Sequence, residues 1–217
     1  MNWWKGPTLM LATLILGGCT LLPDREPVDR SWYLLELPDE PPARTAEEPV
    51  AVELGSVRVA PAYGDKGLVY RLGNHQYESD YYNEWFLKPS EQVAQLLRER
   101  WTRNGAALEL VDNASAAREQ GRAAVRVHVL ITALYGDLEG ADAIESNGMH
   151  VSGTGHMGLR AQLSQGDRSR LVHLESEQVL ERRSASQLVA ALSRATAEVF
   201  AELEDAILEE AEGRRDD

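Results

Sequence analysis

The second half of the chain alternates apolar and polar residues in three successive runs before the period changes. From Arg126 to Tyr135, residues Val127, Val129, Ile131, Ala133 and Tyr135 fall on one side of an extended strand. Met157, Leu159, Ala161 and Leu163 repeat that period, and Val172, Leu174 and Leu180 repeat it again. Gly166-Asp167 lies between these last two runs as a hairpin turn. From about Ser186 to Glu210 the spacing becomes helical. Leu188, Leu192, Ala195, Val199, Leu203 and Ile207 form an apolar stripe, and acidic residues occupy the other face. Such a stripe suits a protein core, because helices that lie on membranes prefer a basic polar face. The residues from Glu209 to Asp217 are expected to fray.

The first half is more broken. Trp32–Leu37 reads as a first strand, and Pro38–Pro49, rich in Pro and Glu, reads as an exposed loop. Val50–Ala60 is a second strand in which Val52 and Leu54 share a face, Gly55-Ser56 forms a bulge, and Val57 and Val59 resume the alternation. Leu68–Tyr70 is a short strand, followed by an aromatic segment from Tyr77 to Phe86. A helix begins near Pro89, whose fixed φ suits a first turn, with Glu91 complementing the positive helix end. Its apolar face carries Val93, Leu96, Leu97 and Trp101, and Asn104-Gly105 ends it. Ala107–Val111 is another strand, and Asp112–Gly121 a short helix or loop. Together these elements predict an α+β fold: a mostly antiparallel sheet with two principal helices packed on one face, a two-layer sandwich.

Composition narrows the function. The chain has 217 residues, 43% hydrophobic and 26% charged, as a packed domain requires. A formal net charge of -13 disfavours nucleic acid, whose phosphates need clustered Lys and Arg. It also disfavours lying flat on an anionic lipid surface, since no polybasic patch is present.

The N-terminus supplies a different kind of attachment. Lys5, an apolar run from Leu9 to Leu16, and the small pair Gly17-Gly18 precede the only cysteine, Cys19. This is the three-part layout of a secretory signal, too short in its apolar part to span a bilayer. Leu16-Gly17-Gly18-Cys19 resembles the bacterial lipobox, which implies a diacylglyceryl group on the Cys19 sulfur and cleavage just before it. An ordinary signal peptide with an incidental cysteine is the alternative. Lipidation also accounts for an odd thiol in an exported protein, and several acyl chains anchor far more firmly than one. Thr20 is not the aspartate that by sorting rules retains lipoproteins in the inner membrane, which points to the outer membrane. The expected organisation is residues 1–18 signal peptide, 19–30 lipidated tether, 31–211 folded domain and 212–217 disordered tail.

Reactive chemistry is hard to assemble from this chain. Gly153, Gly155 and Gly158 spell GxGxxG, but the sequence continues as a strand where dinucleotide binding needs a helix N-terminus. Glycines of that stretch suit a sheet edge open to strand addition by a partner, and Gly153 and Gly155 are its candidate residues. An ordinary internal hairpin whose glycines ease a bend is the alternative. His150 and His156 would share a strand face, yet no third ligand falls at a recognised spacing. His128 lies opposite the Val127–Ile131 stripe, in solvent or against a helix. No nucleophile–base pair or phosphate loop is found, so no enzyme, metal or cofactor is expected.

The stretch from Leu68 to Trp101 is the informative one. It carries Leu68-Val69-Tyr70-Arg71, then Tyr77, Asp80-Tyr81-Tyr82-Asn83-Glu84-Trp85, then Lys88-Pro89 leading into a Leu-rich helix with Leu96 and Leu97. With the Trp32-Tyr33-Leu34-Leu35 strand and the lipobox, this resembles the ABC-type transport auxiliary lipoprotein family, which includes the paraquat-inducible protein C-like lipoproteins. Tyr70, Tyr81, Trp85 and Pro89 fit its aromatic and turn pattern, while Phe86 stands where a small residue often follows the tryptophan. The resemblance implies an auxiliary subunit of an MCE (mammalian cell entry)-type envelope transporter of lipids or other hydrophobic molecules. Its partners would be the MCE-type periplasmic substrate-binding protein and the ABC permease and ATPase, and self-association is left open. A structural tether with no transport role is the alternative function. The aromatics either pack the strand-to-helix junction or, where Tyr77, Tyr81, Tyr82 and Trp85 stay exposed, anchor a partner.

Overall fold

The longest strand organises the sheet. In a computed structural model, which describes residues 29–38, 48–103, 107–138 and 153–213, eight strands and three α-helices follow one another along the described chain. They are β1 (Ser31–Tyr33), β2 (Val50–Val59), β3 (Gly67–Gly73), β4 (Gln76–Trp85), α1 (Pro89–Trp101), β5 (Leu108–Leu110), α2 (Ala114–Glu119), β6 (Ala124–Asp137), β7 (Thr154–Gln165), β8 (Arg168–Val179) and α3 (Ala185–Glu212). Along one side β6 pairs antiparallel with β7 over its whole length, and β7 pairs antiparallel with β8. Along the other side β6 is shared. Its first part pairs parallel with β2, which carries β5, and its end pairs parallel with β3, which carries β4 and then β1.

The sheet is therefore mixed, and the expectation of a mostly antiparallel one is corrected. β1–β4, β2–β5, β2–β6 and β3–β6 are all parallel. Alternation reports which face a residue occupies and is blind to the direction of the neighbouring strand. The α+β class and the single face shared by the two long helices stand. Val93, Leu97 and Trp101 of α1 join Leu188, Leu192, Val199, Phe200, Leu203 and Ile207 of α3 in one buried cluster with Val52, Val127 and Leu159. Each such side chain contributes about 1.5–3 kcal/mol on leaving water. The helices also meet directly, where the Arg100 guanidinium donates to Glu204 (2.8 Å, Nη2 to Oε2) and the Trp101 indole donates to the same carboxylate (3.2 Å). The short α2 lies on the opposite face, where Ala114 and Ala117 pack on Ala51 and Ala124. Only alanine leaves room for so close an approach.

Local rules explain the element ends. The Gly55-Ser56 bulge is present as a register shift between Leu54 and Val57 against β6. His128 fills the space over it and accepts the Ser56 amide (3.0 Å), which settles that histidine as a bulge support. The Gly166-Asp167 loop joins β7 to β8 with Gly166 at φ 63°, the left-handed residue such a two-residue turn needs. Asn113 caps α2 by accepting from the Ser115 and Ala116 amides, and Ser184 caps α3 by accepting from Gln187. α3 runs to Glu212, so Glu209–Glu212 are helical where fraying was expected. The Asn104-Gly105 helix stop lies outside the described residues.

Two strand readings change. β1 ends at Tyr33 instead of Leu37, because Gln92 of α1 takes over as partner: its Oε1 accepts the Leu35 amide at 2.7 Å. In β6 a second irregularity falls between Ile131 and Ala133. It shifts the phase by one residue, so the buried stripe Val127–Val129–Ile131 continues with Leu134. Ala133 and Tyr135 thereby leave the stripe predicted for them. This phase shift has a direct test. Leu134→Ala should lower unfolding free energy by about 2–5 kcal/mol and Leu130→Ala by less than about 1 kcal/mol, measured by urea denaturation. Equal costs would mean that β6 runs regularly and the phase shift is absent.

Candidate functional site: an exposed aromatic edge

β3 and β4 form a hairpin whose pairing is interrupted. Val69 pairs with Ser79 but Gly67 pairs with Glu84, so β4 holds extra residues between Ser79 and Glu84. Asp80 shapes that bulge, since its carboxylate accepts the amides of Tyr82 (2.8 Å) and Asn83 (3.0 Å) and the Asn83 side-chain amide (2.9 Å). Tyr81 and Tyr82 at the bulge are 63% and 45% exposed, their rings 5.2 Å apart and edge to face. Below them Tyr70 is half-buried. Burial first, then the Asp80 carboxylate, pushes its phenol well above the usual tyrosine range.

β1 lies against the far side of this bulge. Trp32 pairs with Glu84 and Tyr33 with Trp85, and the Tyr33 hydroxyl donates to Asn83 (3.1 Å). Trp85 is buried at 2% exposure, and its amide donates to the Lys66 carbonyl (2.6 Å). The next residue turns out: Phe86 is 57% exposed, its amide bound to the Tyr33 carbonyl (2.8 Å) and its carbonyl accepting from the Lys66 ammonium (2.7 Å). Pro89, buried, occupies the first helical position of α1, and the Lys88 amide donates to the Glu91 carboxylate (3.2 Å). The Gln92 side chain donates to the Leu87 carbonyl (2.9 Å) while holding Leu35. Of the singled-out pattern residues, Trp85 and Pro89 are thus packing groups, Tyr70 is a half-buried support and Tyr81 is on display. The exposed set gains Trp32 (58%), Leu34 (42%) and Phe86 (57%), which the sequence reading had not grouped with the tyrosines.

A second cluster lies on the sheet face away from α3. The Tyr135 ring stacks on His156 (4.7 Å) and on Tyr63 (5.9 Å) and meets Tyr77 edge on (5.6 Å). Arg71 pairs with Asp137, and His156 Nδ1 lies 3.1 Å from Glu177. Burial, then Tyr77 and Tyr135, pushes the Tyr63 phenol up to about 12. His156 is therefore an aromatic stacking partner, and no group of three metal-ligating side chains occurs among the described residues. His150 and Cys19 lie outside them.

The glycine stretch is corrected. Gly155 pairs with Gly136 on one side and Gln178 on the other, so β7 is an interior strand and offers no edge there. Helix packing explains Gly155: a Cβ at that position would sit 3.0 Å from the Ala191 Cβ of α3. Gly153, at φ 125°, accepts the Leu180 amide through its carbonyl (2.9 Å) and closes the end of β8. Residues 147–152 of the proposed edge lie outside the described set. Among the described residues β1, β5 and β8 each pair on one side only.

Comparison with known proteins fits this arrangement. The chain belongs to the ABC-type transport auxiliary lipoprotein component family, whose model matches residues 33–204. It is an auxiliary component of ABC-type transport systems, a lipoprotein family with a membrane-anchored envelope location, and that auxiliary role implies no catalytic step. No curated protein matches the chain. A crystal structure of an uncharacterized protein is similar over 82% of this chain and 99% of that one, with TM-score 0.62 and 15% identity. A Xanthomonas campestris protein is similar over 85% and 99%, with TM-score 0.63 and 10% identity. At those identities the likeness concerns the fold alone.

The Tyr63 cluster yields a pH prediction. An acid whose folded pKa is raised stabilises the fold fully below its unfolded pKa of about 10, and that stability is lost as pH rises through about 12. Melting temperature should fall across this window, and Tyr63→Phe should make the fall shallower. An identical alkaline profile in the variant would show that Tyr63 ionises as it does in the unfolded chain.

Proposed function

We propose that the mature protein begins at acylated Cys19, is held on the periplasmic side of the outer membrane, and acts as the auxiliary subunit of an ABC-linked MCE-type transporter of lipids or other hydrophobic molecules. The observation that carries this reading is the family match over residues 33–204, which covers most of the folded domain and begins after Cys19. The domain docks the substrate-conducting periplasmic protein at the membrane, while a separate ATPase supplies the energy. Tyr81, displayed by the Asp80 bulge, is an exposed aromatic of this domain's proposed docking edge.

Two measurements test it. Intact mass of the protein extracted from membranes should correspond to a chain starting at Cys19 and carrying acyl groups, and Cys19→Ser should accumulate as unprocessed precursor or leave the membrane fraction. Cleavage elsewhere, or an unmodified thiol, would remove the anchor. Envelope crosslinking followed by capture should recover an MCE-type subunit or its permease. Capture of neither, under conditions that recover a known complex of this kind, would leave a tether without a transport role.

A further inference from the structure

Exposed apolar surface is unevenly distributed on this domain. Of its large, exposed hydrophobic side chains, Trp32, Leu34, Tyr81, Tyr82 and Phe86 all lie on β1, β4 or the residues just beyond them. Among the described residues the others are Tyr77, which joins the Tyr135 cluster at the hairpin end of β4, and Leu171 and Val179 on β8. β1 borders the sheet beside β4. We propose that this edge, Trp32, Tyr81, Tyr82 and Phe86 with Leu34, rests in the headgroup region of the bilayer that holds the anchor, so that the domain is seated on the lipid surface in one orientation. The inference rests on the Cys19 anchor of the proposed function and goes beyond it, since an anchor alone leaves the domain free to tumble.

Covalent geometry restricts the occupant. Residues 19 to 29 separate Cys19 from the first described position, a reach of about 35 Å at full extension. Trp32 follows three residues later, so the tether enters the domain at this edge. Its chemistry fits that place. Tryptophan and tyrosine concentrate at membrane–water interfaces because each joins an apolar ring to a polar tip. The sequence has three lysines, Lys5, Lys66 and Lys88. Both that remain after signal cleavage flank Phe86: the Lys66 ammonium donates to the Phe86 carbonyl, and Lys88 stands two residues on. Such side chains lay their stems over apolar surface and keep the charge in the headgroups. Arg30 stacks over Tyr81, with its guanidinium carbon 4.3 Å from the ring centroid, and pairs with Glu84 at 3.5 Å.

The acidic residues of α3 are placed elsewhere. α3 reaches this region through its N-terminal half, where Ser193 accepts the Glu36 amide (3.2 Å) and Ser184 and Ala185 line a cleft with Tyr81 and Tyr82. That half, residues 185–197, contains no Asp or Glu, and the acids of the helix begin at Glu198. The edge is aromatic and carries Asp80 and Glu84 beside Arg30, Lys66 and Lys88, so it is not polybasic. Its contact with lipid depends on burying rings and should survive high salt, whereas attraction to anionic headgroups would be screened.

Tryptophan content makes the test direct. After cleavage before Cys19 the chain retains Trp32, Trp85 and Trp101, of which Trp85 and Trp101 are 2% and 1% exposed. The acylated protein is reconstituted into phosphatidylethanolamine vesicles doped with brominated phosphatidylcholine, whose bromines quench indoles at acyl-chain depth. Trp32 emission should be largely lost, and the loss should persist at high salt. Trp32→Phe protein should show little quenching, and Phe86→Ser with Tyr81→Ser should reduce quenching severalfold with an unchanged circular dichroism spectrum. Equal quenching of wild type and Trp32→Phe overturns the inference. So does a Trp32 that is blue-shifted and unquenched at high protein concentration, as burial against a second copy would make it. Intact mass of the same sample separates the two readings. Acylated protein without Trp32 quenching overturns the seated edge and leaves the anchor standing, whereas protein without acyl groups overturns both.

Discussion

β6 is the strand on which everything else in this domain is hung. From Arg126 to Asp137 it presents an antiparallel ladder to β7, interrupted once, and it offers two separate parallel ladders, to β2 and then to β3, on the other side. A strand that serves three neighbours must satisfy all their registers at once, and the irregularity near Thr132 is how it does so. Before it, Val127, Val129 and Ile131 face the long helices, and after it Leu134 and Gly136 do. Gly136 is tight there: a Cβ would lie 2.9 Å from Leu188. Without the shift Tyr135 would be driven into that space. With it, Tyr135 stands on the other face as the centre of the Tyr63–Tyr77–His156 stack.

Displayed aromatics need rigid support, and the support here is polar. Asp80 holds the bulge, Gln92 bridges Leu35 to Leu87, and Tyr33 reaches Asn83. These bonds tie β1 to β4 and α1, which follow it by more than forty residues, around the buried Trp85. Each such bond is worth about 1 kcal/mol net. Their larger effect is to leave the exposed rings little freedom to lose on binding, whether to lipid or to protein.

Much of this was legible in the sequence, and the failures have physical causes. The α3 stripe from Leu188 to Ile207, the alternation of β6 as far as Ile131 and of β7, the Gly55-Ser56 bulge and the Pro89 helix start were readable because each is a local rule acting on contiguous residues. Strand direction was not, since nothing in the spacing of Val50–Val59 tells whether β6 runs with it or against it. The sheet-edge reading of Gly155 failed for a related reason. A missing side chain marks close approach, and sequence alone does not distinguish a partner strand from helix α3 crossing overhead. Phe86 and Trp32 escaped the candidate site because hydrophobicity predicts burial. The signal that could have found them was the parallel pairing of β1 with β4, a contact between segments about fifty residues apart.

The four aromatic and turn residues singled out in the sequence take on a division of labour once these contacts are known. Trp85 and Pro89 are buried, and Tyr70 sits beneath the bulge with its phenol beside Asp80. Replacing any of these would disturb the packing that sets the edge, without removing a group that touches a ligand. Tyr81 alone of the four projects into solvent, on a bulge that lengthens β4 at the cost of ladder hydrogen bonds. A chain that only needed to close its hairpin would pair β3 with β4 evenly, since an interrupted ladder leaves amides to be satisfied by side chains such as Asp80. The interruption is coherent as a means of presenting rings, which is why the aromatic edge, and not the cleaner stack around Tyr135, is the surface proposed to meet the bilayer.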